Sequence, residues 1–348
     1  MKNIIFIFAV GIILMACEKT ISIKIPDEGR KLTINSFFAE DSNMVVKLTK
    51  SRYILDGKWE FDPVENADIS LFENDVLLEK LSENNAGTYL SNIIIKANKH
   101  YKIEVRSNGF PDSKAESHVP ERTDIITLTA EETTDEYGGP IVSFNLTFKD
   151  DPETENYYFV QGHKYYSDTY YDHDTGEKIT NINKEILYLF SDDLNTYQDN
   201  WGLGEGVLMS DEFINGKEYK LICKSYASYY YYDKSQGDQI EPDKNDTTTY
   251  YIEFHSVSKE FYQYYKSLSK HKEATDEFFT EPVQVYNNIE NGFGIFAGMS
   301  TDLDSVVIIS APLKNQQSIE LKKQLNETSI VKALPPKGMI ILDVPCDK

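Results

Sequence analysis

From Lys31 onward, apolar residues fall at every second position far more often than at helical spacing. Examples are Leu32 and Ile34, Ile69 and Leu71, and Ile103 and Val105, the last pair set among Lys102, Glu104 and Arg106. Successive side chains of a strand point to opposite faces, so this alternation describes strands with one face buried and one wet. Turn residues punctuate it. Asn74-Asp75 separates Ile69-Ser70-Leu71-Phe72 from Val76-Leu77-Leu78, and Asn108-Gly109 follows the run Tyr101 to Arg106, as hairpin loops require. Short strands at this spacing predict an all-β chain of two β-sandwich, immunoglobulin-like domains.

The pattern breaks at Pro111, the polar stretch Asp112 to Ser117 and Pro120, so the N-terminal β-sandwich is expected over residues 31–120. Strand-forming runs resume at Ile141 to Phe148, Tyr157 to Val160 and Thr249 to Val257, which places a C-terminal β-rich domain over 121–348. One amphipathic helix is expected in it near 258–270: Ser258 can cap a segment whose Phe261, Tyr264, Tyr265 and Leu268 share one face. That face is expected to pack on the second sandwich. The apolar run Met339 to Leu342 reads as a last strand closing a sheet.

Ahead of the strands, Met1-Lys2, the apolar run Ile4 to Met15 and Ala16-Cys17 read as a signal peptide over residues 1–16. The run is too short to span a bilayer as a stable helix. Leu14-Met15-Ala16-Cys17 matches a lipobox, in which the peptide is cut before a diacylated cysteine. Cys17 is therefore the expected lipidation site, residues 17–30 a tether, and the membrane a partner through the acyl chains. Glu18-Lys19 after the cysteine lacks the aspartate that argues for inner-membrane retention, so the expected place is the outer membrane, on its periplasmic face or at the cell surface.

The mature chain carries the acidity behind a formal charge of −22, and no run of Lys and Arg offers the cations that phosphate binding needs, which excludes nucleic acid as a partner. Catalytic chemistry is equally hard to place. The nearest fragment to a nucleophile elbow, Gly298-Met299-Ser300, lacks the second glycine, and the histidines stand singly at positions 100, 118, 163, 173, 255 and 271. Asp172 to Glu177 resembles the start of a calcium loop, but Asn183 stands where a bidentate glutamate belongs, so it reads as a solvated hairpin tip. No catalytic residue, metal site or cofactor is assigned, and the chain is read as a non-enzyme.

Apart from Cys17, the cysteines are Cys223 and Cys346. They could pair after export, or stay as two thiols, Cys223 in an apolar stretch that suits a buried one. Tyrosine is abundant at 24 residues, bunched at 165–166, 170–171, 229–232 and 250–251. Exposed rings could stack on a glycan or meet a peptide partner; otherwise they are strand formers on solvated sheets. Asp246-Thr247-Thr248 and Asp304-Ser305-Val306 have the form of O-glycosylation triplets, making Thr247 and Ser305 the candidate acceptors, the second leading into an apolar run.

At Glu281 to Ile289, followed by Gly292-Phe293-Gly294-Ile295-Phe296-Ala297-Gly298, the chain resembles the domain of unknown function 4249 family of Bacteroidetes lipoproteins. The helix, the lipobox, Ala67 to Leu71 and Gly87-Thr88-Tyr89 also fit, so the likeness covers nearly the whole mature chain. The resemblance implies an outer-membrane lipoprotein encoded near a TonB-dependent transporter, hence an accessory or ligand-binding partner of that transporter. It brings no catalytic residues. The alternative is a surface glycan-binding lipoprotein that uses exposed tyrosines. The asparagines and glycines of the motif read as architecture, since they suit turns, bends and close packing.

Overall fold

The computed structural model describes residues 29–309 apart from 54, 58–59, 172–174, 198–205, 227–246, 277–280 and 282. Among the described residues the fold is all-β, as the alternation predicts, with one helix. The N-terminal half contributes β1 (Leu32–Ala39), β2 (Asn43–Lys50), β3 (Asp68–Glu73), β4 (Val76–Lys80), β5 (Ser82–Asn85), β6 (Thr88–Ile94), β7 (Lys99–Arg106) and β8 (Ser113–Val119). After it come β9 (Ile125–Thr134), β10 (Pro140–Lys149), β11 (Tyr157–Tyr171), β12 (Lys178–Ile186), β13 (Thr196–Tyr197), β14 (Gly206–Ser210), β15 (Glu218–Tyr226) and β16 (Thr247–Val257). Helix α1 (Lys259–Asp276) and β17 (Gly292–Ile309) complete the described elements.

Turn chemistry acts where the sequence places it. Asn74 and Asp75 both take left-handed φ values, 47° and 65°, and join β3 to β4 as a two-residue hairpin. Tyr171 and Lys178 are partners at the end of the β11–β12 ladder, and Asp172 to Asp174 of the calcium-like fragment lie outside the described residues.

One sheet of ten strands runs through the molecule in the order β13-β14-β11-β16-β17-β1-β2-β6-β5, with β12 paired to β11. A four-stranded sheet, β4-β3-β7-β8, packs on its N-terminal part, and a three-stranded sheet, β15-β10-β9, on its other part. Both lie on the same face. Along β1 and β17, Leu32, Ile34, Phe38 and Phe296 point into the first sandwich, while Phe37, Ala39, Ile295, Ala297 and Met299 point to the opposite face, where α1 lies.

β17 is what makes the two sandwiches one sheet. Its first part runs parallel to β1, from Leu32↔Gly292 to Ala39↔Met299. Its second part runs antiparallel to β16, from Val257↔Met299 to Thr247↔Ile309. The first core therefore takes in Ile289 and Phe296, from the region that sequence reading gives to the C-terminal domain, and the second takes Val306 of the same segment.

The helix corrects the sequence reading twice. It continues to Asp276, six residues past the expected end, and it does not sit on the second sandwich alone. Phe261 and Tyr265 pack against Phe37 of β1 and Phe159 of β11, so α1 covers the seam between the halves. The Ser258 cap is as expected: its Oγ accepts the Phe261 N–H at 3.3 Å.

Candidate functional site

The family-like segment before β17 works as a brace. Asn288 Oδ1 accepts the Phe296 N–H at 3.0 Å, and its Nδ2 donates to Phe296 O at 2.8 Å and to Glu116 O at 3.1 Å. Asn287 and Asn291 reach Gly292 O and Asp112 O in the same way. The glycines allow the close approach. A Cβ on Gly294, at φ +114°, would collide with the Ile34 carbonyl, and one on Gly298 with the His118 carbonyl. Tyr89 ties two other family-like stretches together, accepting the Ala67 N–H and donating to Val64 O, each at 2.9 Å.

Chemistry-bearing side chains gather elsewhere, on the α1 side of the long sheet where β11, β16 and β17 run side by side. The register sets Gln161 opposite Glu253, His163 opposite Tyr251 and Phe159 opposite His255, with Thr301 opposite His255 on the far side. Alternation turns this whole set to one face. His163 Nδ1 lies 3.1 Å from Glu253 Oε1, Glu253 Oε2 lies 3.7 Å from His255 Nε2, and His255 Nδ1 lies 2.8 Å from Thr301 Oγ1. The His163 ring stacks on Tyr251 at 5.1 Å, and Tyr165 stands edge-on to both.

Burial sorts these groups. His255 is 2 % exposed, and desolvation pushes its pKa down to about 4 against the pull of Glu253, so the ring is neutral at neutral pH. The Glu253 side chain is 30 % exposed; burial raises its pKa, but the His163 hydrogen bond and the electrostatic pull of the surrounding His255, His163 and Lys184 outweigh this and hold it below the ordinary carboxylate value. Tyr251 is pushed up, first by burial and then by Tyr165. A general base works best with a pKa near the working pH. Neither Glu253 nor His255 meets that condition, whereas a fixed carboxylate beside aromatic rings suits holding a ligand. Among the described residues no group of three or more His, Cys, Asp or Glu is placed to hold a metal ion, and no helix is long and apolar enough to cross a membrane.

The sequence-predicted residues scatter. Cys17 and Cys346 lie outside the described residues, as do Met339 to Leu342. Cys223 is buried opposite Phe144 on β15, its thiol pushed up to about 12 by burial. Thr247 opens β16, with its side chain outside the described set. Ser305 sits opposite Tyr251, half-buried on the face carrying Glu253, while the next residue, Val306, enters the core. Of the tyrosine bunches, Tyr250 is core, Tyr165, Tyr166 and Tyr251 are partly exposed, the side chains of 170 and 171 and the whole of 229–232 lie outside the described set, and Tyr157 and Tyr158, which belong to no bunch, are core. His255 stands two residues from Glu253 on the same strand, so alternation alone puts them on one face; only the β11–β16 register brings His163 to Glu253.

No curated protein matches the chain. The sequence model of one family, described as Domain of unknown function (DUF4249), matches residues 18–304, which includes β1 to β16, α1 and the brace into β17. With that match spanning most of its length, the chain belongs to the DUF4249 family.

Proposed function

We propose that the protein is a non-catalytic lipoprotein, anchored in the outer membrane through acylated Cys17, that serves as an accessory or ligand-binding partner of a TonB-dependent transporter. The observation that carries this reading is a coincidence of boundaries. The family match begins at Glu18, immediately after the lipobox cysteine, so the part shared with the family starts one residue after the point where a cleaved lipoprotein would start. The transporter enters by analogy with the family resemblance. The ligand-binding half of the proposal draws on the Tyr165, Tyr251 and Glu253 surface, which offers rings and a fixed acceptor.

The test is a mild-detergent pulldown of the tagged native protein from its own outer membrane. A TonB-dependent transporter dominating the eluate supports the proposal, and a solitary lipoprotein after gentle crosslinking counts against it. A second reading, surface glycan binding, is favoured by the same two partly exposed rings. It requires that Tyr251→Ala abolish a glycan-array signal that the parent protein gives, and silence of the parent on the array removes it.

A further inference from the structure

The end of the N-terminal sandwich from which the tether departs differs in chemistry from the rest of the molecule. Leu32 opens β1 beside Lys50, the last residue of β2, and Gly292, the first of β17, so three strand ends meet there. Lys31 and Ser51 close the end with paired hydrogen bonds: Ser51 N donates to Lys31 O at 2.8 Å, and Lys31 N to Ser51 Oγ at 2.9 Å. Around this closure three cations sit over rings. The Arg30 guanidinium is 5.7 Å from the Tyr53 ring, Lys31 Nζ 4.8 Å from Phe293, and the Arg52 guanidinium 4.6 Å from Phe61. Apolar surface is exposed in the same place, with Leu55 at 61 %, Phe293 at 44 % and Phe61 at 38 %.

The local charge balance is also unlike the whole. Arg30, Lys50 and Arg52 line one depression with Asp56, Glu60 and Asp62, and Lys31 adds a further cation, so cations and acids nearly balance at this end in a chain of charge −22. Cations over exposed rings are the composition of the interface between water and lipid, where rings and stems sit at headgroup depth and charges reach the phosphates.

We propose that this end docks on the glycerophospholipid leaflet to which the chain is tethered, with Leu55, Phe61 and Phe293 entering the headgroup layer and Arg30, Lys31 and Arg52 meeting its phosphates. The inference rests on the lipid-anchor reading of Cys17. Gly29 follows Cys17 by twelve residues, and a chain of that length spans at most about 40 Å when extended. The anchor thus keeps this end near the leaflet. The acidic remainder is repelled from an anionic surface, and the same field turns this charge-balanced end toward it.

The test uses the chain from Glu18 onward, which has no acyl group, in flotation with vesicles of phosphatidylethanolamine and phosphatidylglycerol, and with phosphatidylcholine alone. Salt-sensitive flotation with the anionic vesicles is expected. Arg30→Glu with Lys31→Glu should lower the bound fraction about tenfold or more, each cation near an anionic surface being worth severalfold. Leu55→Asp should lower it severalfold, and Lys80→Glu, on β4, should leave it unchanged. All three are exposed changes, and thermal melts check that the variants fold.

Equal flotation with phosphatidylcholine, or no loss in the Arg30/Lys31 variant, overturns the docking surface. So does a photo-reactive phenylalanine analogue at position 61 that captures a protein rather than lipid in native membranes. Palmitate labelling of the full chain separates the two ideas. Label at Cys17 without flotation leaves the anchor standing and removes the docking surface. Absence of label removes the anchor and, with it, the ground for placing this end on the leaflet.

Discussion

Asn288 takes the place of a neighbouring strand for Phe296, receiving its N–H and donating to its carbonyl at 3.0 and 2.8 Å. β1 pairs with one side of this part of β17, and β16 reaches the other side only from Met299 onward. A buried backbone group without a partner costs about 1–3 kcal/mol, so the amide spares two such penalties. Asn288→Ala is expected to destabilise by about 2–4 kcal/mol, and Asn288→Asp, which retains the acceptor and loses the donor, by roughly half of that. Urea unfolding midpoints of the two variants check the order.

Gly294→Ala should be worse than either. Its φ of +114° is closed to other residues, and the added Cβ meets the Ile34 carbonyl in the adjacent strand. Because β17 belongs to both sandwiches, we expect protection from hydrogen exchange to fall in β1 and in β16 together. Loss confined to β1 would mean that the two halves unfold independently.

The buried histidine gives the protein an acid limit. An unfolded histidine takes up a proton near pH 6.5, while His255 in the fold resists until about 4, because burial disfavours the charged ring. A depressed folded pKa means that its contribution is fully present above pH 6.5 and is lost as pH falls toward 4, amounting to about 2–3 kcal/mol. Glu253, also held below its ordinary value, acts in the same direction at the lower end of that range. The melting temperature should therefore fall from pH 6.5 to 4, and His255→Gln should flatten that slope.

Phe261→Ala removes the ring that α1 places against Phe37 and Phe159. Truncating a fully buried phenylalanine costs about 3–5 kcal/mol. Ser258→Ala, which removes only the cap, should cost about 1 kcal/mol. Thermal denaturation followed by circular dichroism separates the two magnitudes.

Cys223 should be inert in the folded protein. Its thiol is buried and its pKa stands at about 12, which leaves almost no thiolate at neutral pH. We expect no reaction with an aromatic disulfide reagent under native conditions and prompt reaction in denaturant without reductant. Silence in denaturant would show that Cys223 is paired.

Much of the local structure was legible in the chain itself. Alternation marked the strands, the Asn74-Asp75 turn marked a hairpin, and Ser258 with its apolar stripe marked the start of the helix, because each is set by neighbours within a few residues. What local periodicity does not contain is which strand lies beside which. The parallel pairing of Leu32 with Gly292 joins residues 260 apart, and a parallel partner needs a long crossover that no turn signal announces. The same holds for His163: alternation puts Glu253 and His255, two residues apart on β16, on one face, but only the β11–β16 register brings His163 within hydrogen-bonding reach of Glu253. Sequence alone thus determined the elements and their buried faces, and tertiary structure decided that two sandwiches share one sheet and where the histidines meet, because register between distant strands is settled by packing of the whole core.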